Sequence, residues 1–398
     1  MPSSGSPSLS SSLNDYAKIS RLCSLCNRMC RHSCPTHLIT RSDACSPIGR
    51  ALIIELYRGK KSALTETAVD RLYQCNLCGA CKAWCKPRHE LPHIIELARE
   101  RVVMENRVPT GILTFDTEVI RDKNVYGDPS NERFSKLKSL LIQPSATREV
   151  VYFIGCTTAY RHPEIALATN EILAKLNIRP KLLTGELGEV CCGSPLLRAG
   201  FRDTAKTLAQ QNIAAIAQTG IRTVLTTCPG CARALRVDYP RLGVPLPKKV
   251  KVYHITEFLT KFQTRLGQLF HNPWAKKKGN LSPKMSYHDP CHLGRELGVY
   301  TPPRRLLSLI PGNVLTEFPH NRDLADCCGG GGVLPKTFQA LSKAITLSRL
   351  KVASELQLDL LVSACPNCKL HFSEVSSQDP DSKLQVLDIV EVLASALR

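Results

Sequence analysis

The sequence has few acidic residues, few aromatic residues and no long apolar run. Asp and Glu number 34 against 53 Lys and Arg, which gives a formal net charge of +19, and aromatic residues make up 6% of the 398 residues. No apolar stretch approaches the roughly 18 residues that a membrane span needs. Residues 1–14 lack the basic start and apolar core of a secretory signal, so we expect a disordered tail and a cytoplasmic protein.

The basic excess is open to more than one interpretation. Such a charge suggests nucleic acid, an anionic membrane surface or an acidic partner. No basic stretch is interleaved with aromatic residues, so we predict no nucleic-acid partner. The chain also contains 19 cysteines. A cubane iron–sulfur cluster with four thiolates carries a charge of about −2, so several clusters would offset much of the basic excess.

The cysteines fall in compact groups. Disulfides are rare in cytosolic proteins, and cysteines this close together pair badly. Tight clusters of cysteines in a reducing compartment indicate metal sites. The groups are Cys23, Cys26, Cys30, Cys34 and Cys45; Cys75, Cys78, Cys81 and Cys85; Cys156, Cys191, Cys192, Cys228 and Cys231; and Cys291, Cys327, Cys328, Cys365 and Cys368.

The N-terminal groups contain two quartets that predict two [4Fe-4S] cubane clusters. The second quartet has the spacing C-x2-C-x2-C-x3-C, and the first has one extra residue in its second gap. In two-cluster ferredoxins the fourth cysteine of each run binds the other cluster. We therefore assign Cys23, Cys26, Cys30 and Cys85 to cluster 1, and Cys75, Cys78, Cys81 and Cys34 to cluster 2. A pair of zinc sites is the alternative. Cys45 is interpreted as a spare thiol, with a ligand role as the alternative.

The remainder of the chain is an internal repeat. The first copy reads C-x34-CCG-x34-CxxC and the second C-x35-CCG-x35-CxxC, so equivalent cysteines lie 135 to 137 residues apart. Apolar strands, such as 285–288, alternate in both copies with helical stretches, such as the period that begins at Ile165 and the segment 304–310. This order predicts two α/β units with parallel strands packed as a pseudo-dimer. Five cysteines exceed the needs of one zinc ion or one ordinary cubane.

The doubled motif resembles the cysteine-rich, or CCG, domain family. The sequence around Cys291 reads YHDPCHLGR and the second CCG continues as four glycines, as in members of the heterodisulfide reductase type. The run SPIGR, which follows the first quartet, is similar to the stretch that follows the first quartet in members of the same family. Its members include the heterodisulfide reductase catalytic subunit and the iron–sulfur subunits of glycolate oxidase, lactate-utilisation oxidoreductases and anaerobic glycerol-3-phosphate dehydrogenase.

The resemblance implies that each copy holds one noncubane [4Fe-4S] cluster on five cysteines, with zinc in one copy as an alternative. The implied ligands of the first CCG site are Cys156, Cys191, Cys192, Cys228 and Cys231. Those of the second CCG site are Cys291, Cys327, Cys328, Cys365 and Cys368. His288 and His292 flank Cys291; packing is the default interpretation for both, and a hydrogen bond to cluster sulfur is the alternative.

The expected fold class is mixed α+β and α/β. After the tail, we expect a helical, ferredoxin-like two-cluster domain (15–106), a connector (107–147), CCG domain 1 (148–240), a second connector (241–283) and CCG domain 2 (284–398). His254 and Glu257 lie in a strand-to-helix stretch (252–259) of the second connector. They are expected to have a structural or capping role, with an indirect contact to a cluster as the alternative.

No flavin or nicotinamide site and no catalytic Ser–His or carboxylate pair is recognisable. We therefore expect an iron–sulfur electron-transfer subunit. A partner chain containing FAD would oxidise a 2-hydroxy acid such as glycolate or lactate, and electrons would pass through the clusters to quinone or another acceptor. The alternative is a catalytic subunit, like that of heterodisulfide reductase, that reduces a disulfide at the CCG clusters. A non-redox zinc scaffold is a third hypothesis. Peripheral association of the chain with the inner face of the cell membrane is the alternative to a purely cytoplasmic location.

Overall fold

The computed structural model describes residues 13–27, 30–59, 63–140, 148–274 and 282–398. The expected N-terminal tail lies outside these ranges except for its last two residues. The N-terminal module is helical. Side-chain caps at Ser46 and Thr65, followed in the first case by a proline at the first helical position, start two of its helices. The helices are α1 (Ala17–Ser24), α2 (Pro35–Thr40), α3 (Pro47–Arg58), α4 (Glu66–Tyr73), α5 (Ala80–Ala83), α6 (Leu91–Met104) and α7 (Phe115–Asp122).

The first copy of the repeat is built on a four-stranded parallel sheet with the strand order β2-β1-β3-β4. Its elements are β1 (Arg148–Tyr152), α8 (Cys156–Tyr160), α9 (Pro163–Lys175), β2 (Ile178–Lys181), α10 (Ser194–Ala199), α11 (Arg202–Gln218), β3 (Thr223–Thr226), α12 (Pro229–Arg233), α13 (Tyr239–Arg241), β4 (Lys251–His254), α14 (Ile255–Thr260) and α15 (Gln263–Leu269).

The second copy is built on a three-stranded parallel sheet with the order β5-β6-β7. Its elements are β5 (Met285–His288), α16 (Thr301–Leu307), α17 (Leu334–Thr337), α18 (Gln339–Glu355), β6 (Leu360–Ser363), α19 (Pro366–Ser376), β7 (Gln385–Asp388) and α20 (Ile389–Ser395). The two parallel α/β units expected from the repeat are therefore present.

The segment 241–283, expected to be a connector, contributes to the first sheet. Its strand β4 pairs with β3 along the edge, as β7 pairs with β6 in the second copy. Each of these edge strands runs into a helix through a capping box, formed by His254 with Glu257 in one copy and by Asp388 with Glu391 in the other. The repeated unit therefore extends beyond its last cysteine pair, and the capping role expected for His254 and Glu257 is present.

The three modules pack against one another around a buried arginine on α6. The Arg99 guanidinium is fully buried and donates to the carbonyls of Leu72, Arg198 and Gly332, which belong to the N-terminal module, the first copy and the second copy. One side chain therefore joins all three modules. None of the helices in the described ranges is both long and apolar enough to cross a membrane.

Candidate metal centres

The four cysteines assigned to cluster 1 lie near one another at the surface end of the N-terminal module. Burial, together with the negative charges of Cys85, Cys30 and Cys26, raises the pKa of Cys23 to about 12. Cys26 is exposed, whereas the other three are partly buried. The thiol of Cys85, the fourth cysteine of the second run, therefore lies near thiols of the first run, and the crossed assignment of the clusters stays a prediction.

The four cysteines assigned to cluster 2 line one small cavity of about 20 Å³ in the interior of the module. Cys34 comes from the first run, and Cys75, Cys78 and Cys81 come from the second. The backbone N–H of Leu77 points at the Cys75 sulfur from 3.4 Å. Backbone donors aimed at a thiolate favour its charged form, which is the form that binds iron.

Two buried arginines surround the cluster 2 cysteines. Arg50 Nη1 lies 3.6 Å from the Cys34 sulfur, and Arg99 Nη2 donates to the Cys75 carbonyl at 2.7 Å. Burial lowers the pKa of Arg50, but the negative charges of Cys75 and Cys34 outweigh it and raise the pKa. No carboxylate in the described part of the chain forms an ion pair with either arginine. A buried cation needs a counter-charge, and an anionic cluster at this position would supply it.

Cys45 lies outside both quartets. Its thiol donates to Gln74 Oε1 at 3.1 Å, and its carbonyl accepts from Arg50 Nη1 at 2.5 Å. Cys45 therefore helps to hold Arg50 through its backbone.

The five cysteines of the first CCG site interact as a chain of thiols that runs from Cys156 through Cys191, Cys192 and Cys231 to Cys228. They follow the carboxyl ends of β1 and β3 or lie in the loop before α10, where parallel sheets place their ligands. Gly155 has a φ of +78°, and a Cβ there would lie 2.9 Å from the Cys231 sulfur. Glycine at this position therefore permits the close approach of the two cysteine loops.

A buried ion pair supports the first CCG site. Arg133 Nη1 donates to Glu189 Oε1 at 2.8 Å, and Arg133 Nη2 lies 3.6 Å from the Cys156 sulfur. The Glu189 carboxylate accepts the backbone N–H groups of Ile154 and Gly155 at 2.7 and 2.8 Å. This arrangement fixes the turn that presents Cys156 and brings a positive charge to its sulfur.

The second CCG site is equally buried. The sulfurs of Cys328 and Cys368 are 3.2 Å apart, and Cys365 interacts with Cys368. The backbone N–H of Gly329 points at the Cys327 sulfur from 3.4 Å. In the first site the backbone N–H of Gly193 points at the Cys191 sulfur from the same distance.

The four-glycine run after Cys328 brings the second CCG site against the loop of cluster 2. A Cβ on Gly331 would lie 2.6 Å from the Asn76 carbonyl, and one on Gly332 would lie 2.3 Å from the Cys75 carbonyl. Asn76 in turn donates to the Gly329 carbonyl at 2.8 Å. Side chains in this run would separate the two loops, so the glycines permit the contact.

Both CCG sites open into one cavity. This shared cavity has a volume of about 420 Å³, and nine of the ten cysteines of the two motifs line it, all except Cys327. A hydrogen bond with Cys368 lowers the pKa of Cys365, but burial and the negative charge of Cys228 from the other site raise it overall. The cavity wall also contains Phe115, Arg198, His292, Lys336 and His371. The two sites therefore face each other across a space that could admit a small molecule.

These donor sets fit iron–sulfur clusters. They consist of soft thiol ligands, all buried or partly buried except Cys26, and such ligands select iron–sulfur centres or zinc. Backbone N–H groups point at sulfurs of cluster 2 and of both CCG sites, and buried arginines adjoin cluster 2 and the first CCG site. The fold and the sites together define an iron–sulfur protein with two cysteine-rich α/β units.

Comparison with known proteins agrees with this class. The family model described as "Cysteine-rich domain" matches residues 150–236 and 285–373. One of the subunits of the dihydromethanophenazine:CoB–CoM heterodisulfide reductase from Methanosarcina barkeri is 36% identical over 334 residues, which cover 82% of this chain and 78% of that protein. The chain belongs to the family of cysteine-rich-domain iron–sulfur oxidoreductase subunits.

Two more distant relatives match an equal share of this chain. A fumarate reductase (CoM/CoB) subunit from Methanothermobacter marburgensis is 29% identical, and the match covers 82% of this chain and 62% of that protein. An EtfAB:quinone oxidoreductase from Syntrophomonas wolfei is 28% identical over 82% of this chain and 47% of its own length.

Several residues at these sites were not found from the sequence. Arg50 falls in the SPIGR run that carries the resemblance, but nothing in that run shows that its guanidinium reaches Cys34. Arg99 and Arg133 lie in ordinary helical or loop sequence, far along the chain from Cys75 and Cys156, which they contact. Glu189 precedes Cys191 closely, but it acts on the distant turn before Cys156. Their roles depend on long-range packing, which local patterns do not encode.

Proposed function

We propose that this chain is the catalytic iron–sulfur subunit of a complex that reduces or oxidises a sulfur substrate between its two CCG sites. The observation that supports this proposal is the shared cavity, because it exposes cysteines of both sites to one space. Its volume of about 420 Å³ lies in the range that small ligands occupy. A simple chain of electron carriers does not need a ligand-sized space between its last two members.

The proposed reaction is the reduction of a disulfide, R–S–S–R′ + 2e⁻ + 2H⁺ → RSH + R′SH, or its reverse. The S–S bond breaks, and each sulfur gains one electron and one proton. The metal centres, when bound, supply one-electron steps. Phe115 and Leu370 provide an apolar wall, while Lys336 and His371 provide polar groups to orient the substrate. The similarity to one of the chains of a heterodisulfide reductase supports this reaction class.

The cofactors of the proposal are two [4Fe-4S] cubanes in the N-terminal module and noncubane [4Fe-4S] clusters in the CCG sites, with zinc in one CCG site as the alternative. The cubane ligands are the crossed quartets named above, and the CCG ligands are the two sets of five cysteines. Electrons for the reaction come from a partner that is oxidised at the N-terminal module, where Cys26 of cluster 1 is exposed.

The second candidate function is an electron relay for a flavoprotein. In this case an FAD-containing partner oxidises a 2-hydroxy acid of the glycolate or lactate type, and this chain passes the electrons to quinone or another acceptor. The relative that is an EtfAB:quinone oxidoreductase supports this candidate. It would act in the cytoplasm or at the inner face of the cell membrane.

The first experiment measures iron, acid-labile sulfide and zinc per chain after anaerobic purification. The holoprotein is then reduced with a viologen dye and offered small disulfides, and the released thiols are counted. We expect thiol release by the wild type and by C45S, whose thiol lies outside all the sites, and its loss in C192S. A fully loaded protein that releases no thiol and co-purifies with a flavoprotein would favour the relay. A protein with zinc and no sulfide would contradict both candidates.

A further inference from the structure

The two CCG sites differ at one buried position of the repeat. Tyr152 pairs with Leu225 in the first sheet, and Tyr287 pairs with Val362 in the second, so the two tyrosines occupy the same register. The next residue is Phe153 in the first copy and His288 in the second. Both side chains are buried. The repeat therefore puts an imidazole where its other copy has an apolar ring.

The His288 ring faces the thiols of the second CCG site. A ring nitrogen of His288 and the sulfurs of Cys328 and Cys368 all lie within 4.8 Å of one another. The ring of Phe372 packs edge-on against the imidazole at 4.9 Å between centroids, which holds it in this orientation. The geometry is that of three donor atoms arranged around one point.

Neither nitrogen of His288 has a nitrogen or oxygen hydrogen-bond partner within the described part of the chain, and the group that its ring interacts with is the Cys328 thiol. An unpartnered polar group in a protein interior is costly, so native buried histidines normally have a partner. The nearest groups that could serve are the two sulfurs, and a metal bound to those sulfurs would also accept a nitrogen. Phe153 could not play this part in the first CCG site.

We propose that His288 is a nitrogen ligand of the metal centre in the second CCG site. That centre would then have mixed cysteine and histidine ligation, whereas the centre in the first site would have cysteine ligands alone. This inference rests on the proposed presence of a metal centre in the second CCG site.

Mixed ligation has a consequence for electron flow. In Rieske centres, where neutral imidazoles replace negative thiolates on one iron, the reduction potential is raised. Binding of His288 to one metal ion in place of a thiolate of the five-cysteine set would act in the same direction. The second centre would therefore be reduced more readily than the first. The metal centres on the two sides of the shared cavity would then differ in reduction potential, although the repeat gives them equivalent sets of cysteines.

The test uses the holoprotein labelled with ¹⁵N only in histidine. Electron–nuclear hyperfine spectra of the reduced protein are recorded for the wild type, H288F and H371F. H288F reproduces the first copy, and H371F removes another cavity histidine as the matched control. We expect a directly bound histidine nitrogen in the wild type and in H371F, and its absence in H288F. If zinc occupies the second site, X-ray absorption replaces the hyperfine spectra, with Zn–N near 2.0–2.1 Å and Zn–S near 2.3 Å.

We also expect H288F to make the second centre at least tenfold harder to reduce relative to the first, which is about 59 mV for a one-electron couple. A metal centre that is present in the second site but has no bound histidine nitrogen in the wild type would overturn this inference and leave the proposed function intact. A second site without metal would overturn both. The labelled wild type decides the question even if H288F does not fold.

Discussion

The thiol of Cys78, in the second ferredoxin-like quartet, lies against the thiol of Cys327 in the second CCG motif. Their interaction lowers the pKa of Cys78 to about 6, against the opposing effect of burial. Arg295 strengthens the contact, because it donates to the Cys78 carbonyl at 2.6 Å and to the Ala325 carbonyl at 2.6 Å. Cluster 2 would therefore adjoin the second CCG site, while the exposed cluster 1 would be nearer to a partner.

The crossed assignment of the two quartets predicts different outcomes for two substitutions. C85S should perturb the cluster whose other ligands are Cys23, Cys26 and Cys30, and C81S should perturb the cluster held by Cys34, Cys75 and Cys78. Electron paramagnetic resonance of the reduced proteins, together with iron analysis, separates the two clusters. If C85S instead removed only the signal that C81S removes, the crossed assignment would be wrong.

Arg50 should raise the reduction potential of cluster 2. Its buried positive charge lies beside Cys34, and at an effective dielectric constant of about 20 such a charge contributes a few kcal/mol. We expect R50M to make this cluster at least tenfold harder to reduce, about 59 mV, and R50K to restore part of the difference. Potentiometric titration measures both values. R101M is the control, because Arg101 lies exposed on α6; an equal shift in R101M would contradict the local effect.

Gly332 should be intolerant of any side chain. Its φ is +63°, and a Cβ would lie 2.3 Å from the Cys75 carbonyl. Gly220 has a similar φ of +66° but no atom within 4 Å of its Cβ position, so it isolates the backbone strain. We expect G220A to lower the free energy of unfolding by about 1 kcal/mol and G332A to lower it considerably more, with loss of iron from cluster 2. Chemical denaturation and iron analysis test this, and equal effects of the two substitutions would refute the steric argument.

An ion-pair cluster between the two α/β units should respond to acid. Lys369, on α19, contacts Glu164 of the first copy and Glu391 of its own copy, each at 2.7 Å. Burial raises the pKa of Glu164, but hydrogen bonds with His162 and Lys369 outweigh it and hold the pKa at about 2. Because the folded pKa lies below the ordinary value of 4.5, Glu164 stabilises the fold above about pH 4.5, and this contribution disappears as the pH falls toward 2.

We therefore expect E164Q to be less stable than the wild type at pH 7 by about 1 kcal/mol, since Glu164 is half exposed and solvent screens the pair. The difference should vanish near pH 2. Parallel urea titrations of the two proteins measure it, because acid loss of the metal centres affects both alike. A difference that did not depend on pH would show that the carboxylate charge is not responsible.

Much of the architecture could be predicted from local patterns. The strand at Met285–His288 falls where the sequence predicts it, and the helix at Pro163–Lys175 follows the apolar period from Ile165. The ends of the helices were predicted less accurately. A helix expected near residues 304–310 lies at Thr301–Leu307, because Pro302 and Pro303 favour the first turn of a helix. The stretch 252–259 was expected to run from strand to helix, as β4 and α14 do, but it was assigned to a connector and not to the first sheet, because the pairing of an edge strand depends on long-range contacts.

The sequence by itself determined the two cysteine quartets, the doubled five-cysteine motif and the parallel α/β repeat, because each depends on spacing along the chain. Only the tertiary structure decided which sites meet. The packing of the modules brings both CCG motifs to one cavity and places Cys78 against Cys327. Packing also turns His288 toward Cys328 and Cys368 and buries Arg50 beside Cys34. Such contacts arise between residues that are distant in sequence, and they depend on how the faces of whole modules fit together.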